Sequence, residues 1–108
     1  MHSWSANGEW TSCCYTSDHA EAECMWNKPR ELTTYSGNGY EIAHGYKVVP
    51  LNSETSTSPS TALKGWKSSK GHNEVIINKG IWQSHPWRAV GIGMSQHFAV
   101  IWFGEEEN

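Results

Sequence analysis

Two apolar segments near the end of the chain constrain its fold most strongly. Residues 88–94 include Val-Gly-Ile-Gly-Met, and residues 97–103 read His-Phe-Ala-Val-Ile-Trp-Phe. Both segments are rich in the β-branched and aromatic residues that favour strands. Gly93 to Gln96 between them is typical of a turn. Because β-prone segments joined by a short turn usually pair with each other, the sequence predicts an antiparallel hairpin.

The sequence also predicts helices before this hairpin. Ser58 fits the N-cap and Pro59 the first position of a helix. Gly71 is predicted to interrupt it, and a second helical stretch is predicted from residue 72 or 73 to about residue 77. A third helix is predicted over residues 19–26, which are rich in helix-forming residues, with Ser17 or Asp18 as its cap.

The remaining segments are predicted to be loops and short strands. Pro29 ends the helix over residues 19–26 or begins a new turn, and residues 40–43 are predicted to be extended. Residues 47–49 are β-prone but are followed by Pro50, and the Ser/Thr-rich residues 52–60 are predicted to form a surface loop. Helices combined with an antiparallel hairpin indicate the α+β class.

The length, charge and hydropathy of the chain limit its domain number and its partners. The 108 residues are enough for one domain but not for two. The net charge of −3 and the absence of a Lys/Arg run argue against nucleic acid as a partner. No apolar stretch is long enough to span a membrane, and the first residues do not form a charged segment followed by an apolar one, so no signal peptide is predicted.

Three cysteines lie close together in the sequence, at Cys13, Cys14 and Cys24. Cys13 and Cys14 are adjacent, and adjacent cysteines seldom form a disulfide with each other because its geometry would be strained. A disulfide from one of them to Cys24 would close a loop of about ten residues and stabilise the fold by about 2–3 kcal/mol. The alternative is a zinc site that also uses His19, although the spacing is not a standard zinc pattern. The disulfide interpretation favours an oxidising compartment.

Residues 66–77 read Trp-Lys-Ser-Ser-Lys-Gly-His-Asn-Glu-Val-Ile-Ile, and they are followed by a Val-Gly-Ile-Gly segment and then by a segment that ends in Phe-Gly. This order of motifs, from Trp66 to Gly104, resembles the C-terminal half of a CAP-superfamily domain. This SCP-like group contains the cysteine-rich secretory proteins, insect antigen 5 and plant pathogenesis-related proteins. The resemblance implies an α-β-α sandwich with a small antiparallel sheet, without the first helices of the family fold. It also implies a single domain over residues 1–108, with a divergent Cys/Trp-rich part (1–38) and a family-like part (39–104).

The same resemblance implies a pocket. Met1-His2-Ser3 resembles the family's first histidine motif, Gly39-Tyr40-Glu41-Ile42 its acidic motif and Ser69-Lys70-Gly71-His72 its second histidine motif. The implied pocket residues are therefore His2, Glu41 and His72, with His44 as a further candidate. In the family the two histidines can bind a divalent metal, so the resemblance implies His2 and His72 as ligands for zinc or another divalent ion.

The function implied by the resemblance is a secreted ligand-binding module without established catalysis, which takes a small molecule, a lipid or a glycan. One alternative is a hydrolase in which the two histidines and the glutamate activate water, with or without a metal. Another is an interaction domain that binds glycans or proteins through aromatic side chains, namely Trp4, Trp10, Trp82 and Trp87. Since a missing helix would expose apolar surface, a dimer or a partner chain is also expected.

Overall fold

The computed structural model describes residues 2–15, 18–45, 51 and 55–107 of the chain. It contains four α-helices and five strands within those residues. The helices are α1 (Ala22–Trp26), α2 (Lys28–Leu32), α3 (Pro59–Ser68) and α4 (Lys70–Ile77). The strands are β1 (His2–Trp4), β2 (Cys13–Tyr15), β3 (Tyr40–Gly45), β4 (Ala89–Met94) and β5 (Phe98–Gly104). The predicted α+β class is confirmed.

The strands form two sheets. β1 and β2 form a two-stranded sheet in which Trp4 lies opposite Cys13. The second sheet has the strand order β3-β5-β4. Its β4–β5 pair is the predicted hairpin, and the turn is closed by the Ser95 backbone N–H, which donates to the Phe98 carbonyl at 2.8 Å.

The helix starts depend on local signals. Ser58 is the N-cap of α3, and its hydroxyl accepts from the Thr61 N–H at 3.2 Å, as the Ser-Pro pair predicts. The prediction for residues 19–26 was wrong at its start, because His19 has a φ of 60° and a left-handed residue cannot continue a right-handed helix.

Gly71 does not interrupt the helical region as predicted. It lies inside α4, and the break falls at Ser69, whose extended backbone (φ −100°, ψ 117°) separates α3 from α4. A glycine within a helix destabilises it by only about 1 kcal/mol, so it does not by itself end one. The β-prone residues 47–49 and the first part of the predicted loop over residues 52–60 lie outside the described residues.

The chain divides into two compact units. Unit 1 consists of Met1–Glu41, Trp87–Ala89 and Phe103–Asn108. It includes a row of four aromatic rings that are tilted against each other, with centroid distances of 5.5, 5.7 and 5.3 Å between successive neighbours: Trp26, Tyr40, Trp87 and Phe103. Such tilted pairs contribute about 0.5–1.5 kcal/mol each beyond the area that they bury.

A tyrosine joins distant parts of unit 1. The Tyr35 hydroxyl donates to the Glu106 carbonyl at 2.9 Å and accepts from the Glu106 N–H at 3.0 Å. The ring lies so close to Gly104 that a Cβ there would be 2.1 Å from the Tyr35 hydroxyl oxygen. Only glycine therefore allows this approach.

Unit 2 consists of Ile42–Pro86 and Val90–Trp102. Its buried apolar side chains come from α3, α4 and the sheet: Ile42, Ala62, Trp66, Val75 and Ala99. Alternate residues of β4 are exposed, with Val90 at 62% and Ile92 at 73%. Within the described residues, no helix has both the length and the apolar character needed to cross a membrane.

Candidate ligand-binding site

His2 and Glu41 contact each other although 39 residues separate them in the sequence. β1 carries the histidine and β3 the glutamate, and the imidazole Nδ1 is hydrogen-bonded to the carboxylate Oε1. Their side chains are 25% and 15% exposed. When Nδ1 carries the proton, it donates a hydrogen bond to the carboxylate, which fixes the orientation of the ring and leaves Nε2 as the basic nitrogen.

The third predicted pocket residue, His72, belongs to unit 2. It lies in the first turn of α4, where its Nδ1 is 2.9 Å from the Ser69 hydroxyl. His44 also belongs to unit 2, and its ring meets that of Trp66 edge-on at a centroid distance of 6.3 Å. The structure thus brings two of the three predicted pocket residues into contact, and the third lies in the other unit.

No group of three or more His, Cys, Asp or Glu side chains in the described ranges has a metal-binding arrangement. None of Cys13, Cys14 and Cys24 forms a disulfide. Burial, followed by contact with the Cys24 thiol, raises the pKa of the Cys13 thiol to about 12. The Cys13 thiol is therefore neutral and a poor nucleophile at neutral pH.

Unit 1 contains a cleft of about 510 Å³. Its walls come from α1, α2 and the segments beside them, and the lining residues are Thr11, Glu23, Cys24, Trp26, Asn27, Arg30, Glu31 and Asn38. This volume lies within the usual range of small-molecule sites, roughly 300–1,000 Å³.

Two asparagines hold the guanidinium of Arg30 in this cleft. Its Nε donates to the Asn27 carboxamide oxygen at 2.8 Å, and its Nη1 donates to the Asn38 carboxamide oxygen at 2.5 Å. Both acceptors are neutral, and no carboxylate of the described residues forms an ion pair with Arg30. The positive charge is therefore fixed in position but not neutralised.

Lys28 and Glu31 hold Thr11, another residue that lines the cleft. The Lys28 ammonium donates to the Thr11 carbonyl, and the Glu31 carboxylate accepts from the Thr11 N–H, so both polar groups of that residue are bonded to α2. Lys28 and Glu31 also form an ion pair at 2.5 Å. Lys28, followed by the Thr11 backbone, holds the pKa of Glu31 below its usual value. The charge of Glu31 is therefore compensated within the protein.

Glu23 is the remaining carboxylate of the cleft. It lies in the first turn of α1 and is exposed. Because Lys28 compensates Glu31, Arg30 and Glu23 give the cleft one positive and one negative group that face solvent. Trp26, the last residue of α1, supplies an aromatic surface to the cleft.

Of the cleft residues, only Cys24 was singled out from the sequence. Asn27 and Arg30 have an i, i+3 spacing that places side chains together on a helix, and this was an available signal. Asn38 lies in the loop before β3, and no local pattern predicts that its carboxamide reaches Arg30.

Comparisons of the chain with protein-family models, curated proteins and solved structures give no match. The CAP resemblance therefore stays a prediction that depends on the motifs between Trp66 and Gly104.

Proposed function

We propose that the protein is a small ligand-binding module and that the cleft of unit 1 takes a small polar molecule bearing a carboxylate. The observation that carries the proposal is Arg30, whose guanidinium is held by Asn27 and Asn38 and has no carboxylate partner among the described residues. Two of its five N–H donors are used by these bonds, which leaves three for a ligand.

This arrangement suits a carboxylate for two reasons. A guanidinium matches the two oxygens of a carboxylate with parallel hydrogen bonds, and such charge-assisted bonds are stronger than neutral ones. The asparagines have already ordered the arginine side chain, so binding loses less side-chain entropy than it would at a free arginine. The Arg30 side chain is therefore preorganised to bind an anionic group.

Glu23 narrows the class of ligand. A second carboxylate on the ligand would meet the negative charge of Glu23 in the same cleft. A cationic group on the ligand would instead be attracted to it. We infer that amino acids or other zwitterions bind more tightly than dicarboxylates of similar size, with Trp26 packing against the ligand's apolar part.

Calorimetric titration of the purified protein tests this proposal, with amino acids, monocarboxylates, dicarboxylates and the corresponding amides as ligands. We expect saturable binding of the first two classes. Arg30→Gln should weaken it by at least about tenfold, since a hydrogen bond between charged groups contributes about 1.5–3 kcal/mol. The matched control is Arg88→Gln, which changes the other arginine of the chain and should leave affinity within about twofold. Equal affinity of the two variants, or equal affinity for acids and amides, would refute the proposal.

The contact between His2 and Glu41 favours a second candidate, a divalent-metal site. A carboxylate that orients an imidazole through its Nδ1 is the usual neighbour of a histidine that binds metal through Nε2. Zinc titration of the wild type, His2→Ala and His72→Ala checks this candidate. Loss of zinc binding in both variants supports the two-histidine pocket, whereas unchanged binding in both removes it. Secretion, CAP membership, hydrolysis and glycan binding stay predictions from the sequence.

A further inference from the structure

Three sulfur atoms meet in unit 1, beside the cleft. The Cys13 thiol of β2 lies 3.5 Å from the Met25 thioether. The Cys24 thiol lies 3.8 Å from the carbonyl oxygen of Ser12, the residue before Cys13, and is near enough to affect the Cys13 thiol. Cys24 and Met25 are consecutive residues of α1, which packs against β2. The donors that converge here therefore come from two elements and do not depend on one cysteine alone.

The surroundings of the cluster suit an enclosed ion. Cys13 is 7% exposed and Met25 is 4% exposed, so two of the three sulfurs are shielded from solvent. Cys24 is half-buried and lines the cleft, which gives an ion a path to the cluster.

The chemistry of the donors selects the ion. Thiolates and thioethers are soft ligands that favour copper(I). Structural zinc sites in proteins instead have four ligands, which are thiolates, imidazoles or carboxylates. No such fuller set exists at this place among the described residues. Two sulfurs bound to one ion at about 2.3 Å lie roughly 3.8–4.0 Å apart, so the 3.5 Å separation of Cys13 and Met25 requires only a small side-chain movement.

We propose that Cys13, Cys24 and Met25 bind one copper(I) ion through two thiolates and one thioether. Binding replaces two thiol protons, which pass to solvent, and forms two copper–thiolate bonds. The resulting group has a net charge of −1. This site is independent of the carboxylate-binding role of Arg30, although both open on the same cleft.

The test is an anaerobic titration of the reduced full chain with copper(I) held by a coloured chelator. We expect the protein to remove one equivalent of copper(I) from the chelator and to develop sulfur-to-copper charge-transfer absorption in the ultraviolet. Cys24→Ser should weaken binding by about a hundredfold or more and Met25→Leu by about tenfold. Cys14→Ser is the matched control, because it removes a neighbouring thiol outside the cluster, and it should bind as the wild type does.

Cys24→Ser is the decisive variant, because Cys24 is half-buried and its replacement disturbs the interior less than Cys13→Ser does. Circular dichroism of each metal-free variant checks its fold. The proposal is overturned if the reduced wild type withdraws no copper, or if Cys14→Ser and Cys24→Ser lose it equally. Formation of a Cys13–Cys24 disulfide in air, without copper binding by the reduced chain, would likewise overturn it and support the disulfide predicted from the sequence.

Discussion

The buried ammonium of Lys28 allows the sharpest stability prediction. Lys28 is 1% exposed, the most buried large side chain among the described residues. It donates to the Thr11 carbonyl and to Glu31, and its Nζ lies 5.9 Å from the centroid of the Trp4 ring. The substitution Lys28→Met keeps most of the apolar stem and removes only the charged group with its partners.

The magnitude follows from those contacts. Each hydrogen bond to a charged group contributes about 1.5–3 kcal/mol, and the cation–π contact adds about 0.5–2 kcal/mol. The variant recovers part of this free energy because it has no ammonium group, so folding no longer carries the cost of desolvating that charge. The carboxylate that loses its partner is 20% exposed and regains water, which also limits the loss. We therefore expect Lys28→Met to lower the free energy of unfolding by about 2–4 kcal/mol.

Urea unfolding followed by tryptophan fluorescence measures this change. Lys64→Met is the matched control, because it makes the same replacement at an exposed position of α3 and should change stability by less than about 0.5 kcal/mol. If Lys28→Met is as stable as the control, or more stable than the wild type, the partners of Lys28 do not outweigh the desolvation of its charge. The claim that the contacts of Lys28 stabilise the fold would then be wrong.

Three further predictions concern acid stability, the Tyr35 contact and the start of α3. Since the pKa of Glu31 is lowered on folding from 4.5, its stabilising contribution is complete above pH 4.5 and is lost as the pH falls through the lower folded value. Glu31→Gln should therefore flatten the fall in stability below pH 4.5, as measured by urea midpoints at each pH. Tyr35→Phe removes both bonds to Glu106 and should lower the free energy of unfolding by about 1–2 kcal/mol in the same assay. Ser58→Ala removes the N-cap bond to Thr61 and should lower it by about 1 kcal/mol.

Each of these predictions has a contrary outcome. An unchanged acid limb in Glu31→Gln would mean that other carboxylates dominate acid unfolding. Tyr35→Phe at wild-type stability would mean that water replaces the hydroxyl without loss. For the cap, Ser58→Asp is the control that keeps an acceptor, and the argument fails if it destabilises α3 as much as Ser58→Ala does.

Features that depend on neighbouring residues could be predicted from the sequence. The Ser58-Pro59 pair fixes the start of α3 because the cap and the first helical position act within one turn. The hairpin of β4 and β5 depends on two β-prone segments and a short turn, which are also adjacent. The late start of α1 was missed because no propensity foretells the left-handed backbone of His19.

The candidate site was harder to predict because its contacts join distant parts of the chain. The pairing of His2 with Glu41 was expected only through the family resemblance, since 39 residues separate them. The cleft was missed because lysine is usually exposed, and a buried Lys28 is what holds Thr11 against α2. Arg30 was missed because its second acceptor, Asn38, comes from a loop.

The discontinuity of unit 1 has a consequence for synthesis on the ribosome. Its segments Met1–Glu41 and Phe103–Asn108 are separated by unit 2 in the sequence, and the bonds of Tyr35 to Glu106 span 71 residues. Its two helices have five residues each, too few to persist without tertiary contacts. Folding during synthesis normally begins at the N-terminus, but here the first segment must wait until residues 103–107 have emerged. Until then its tryptophans and cysteines are accessible to chaperones and oxidants.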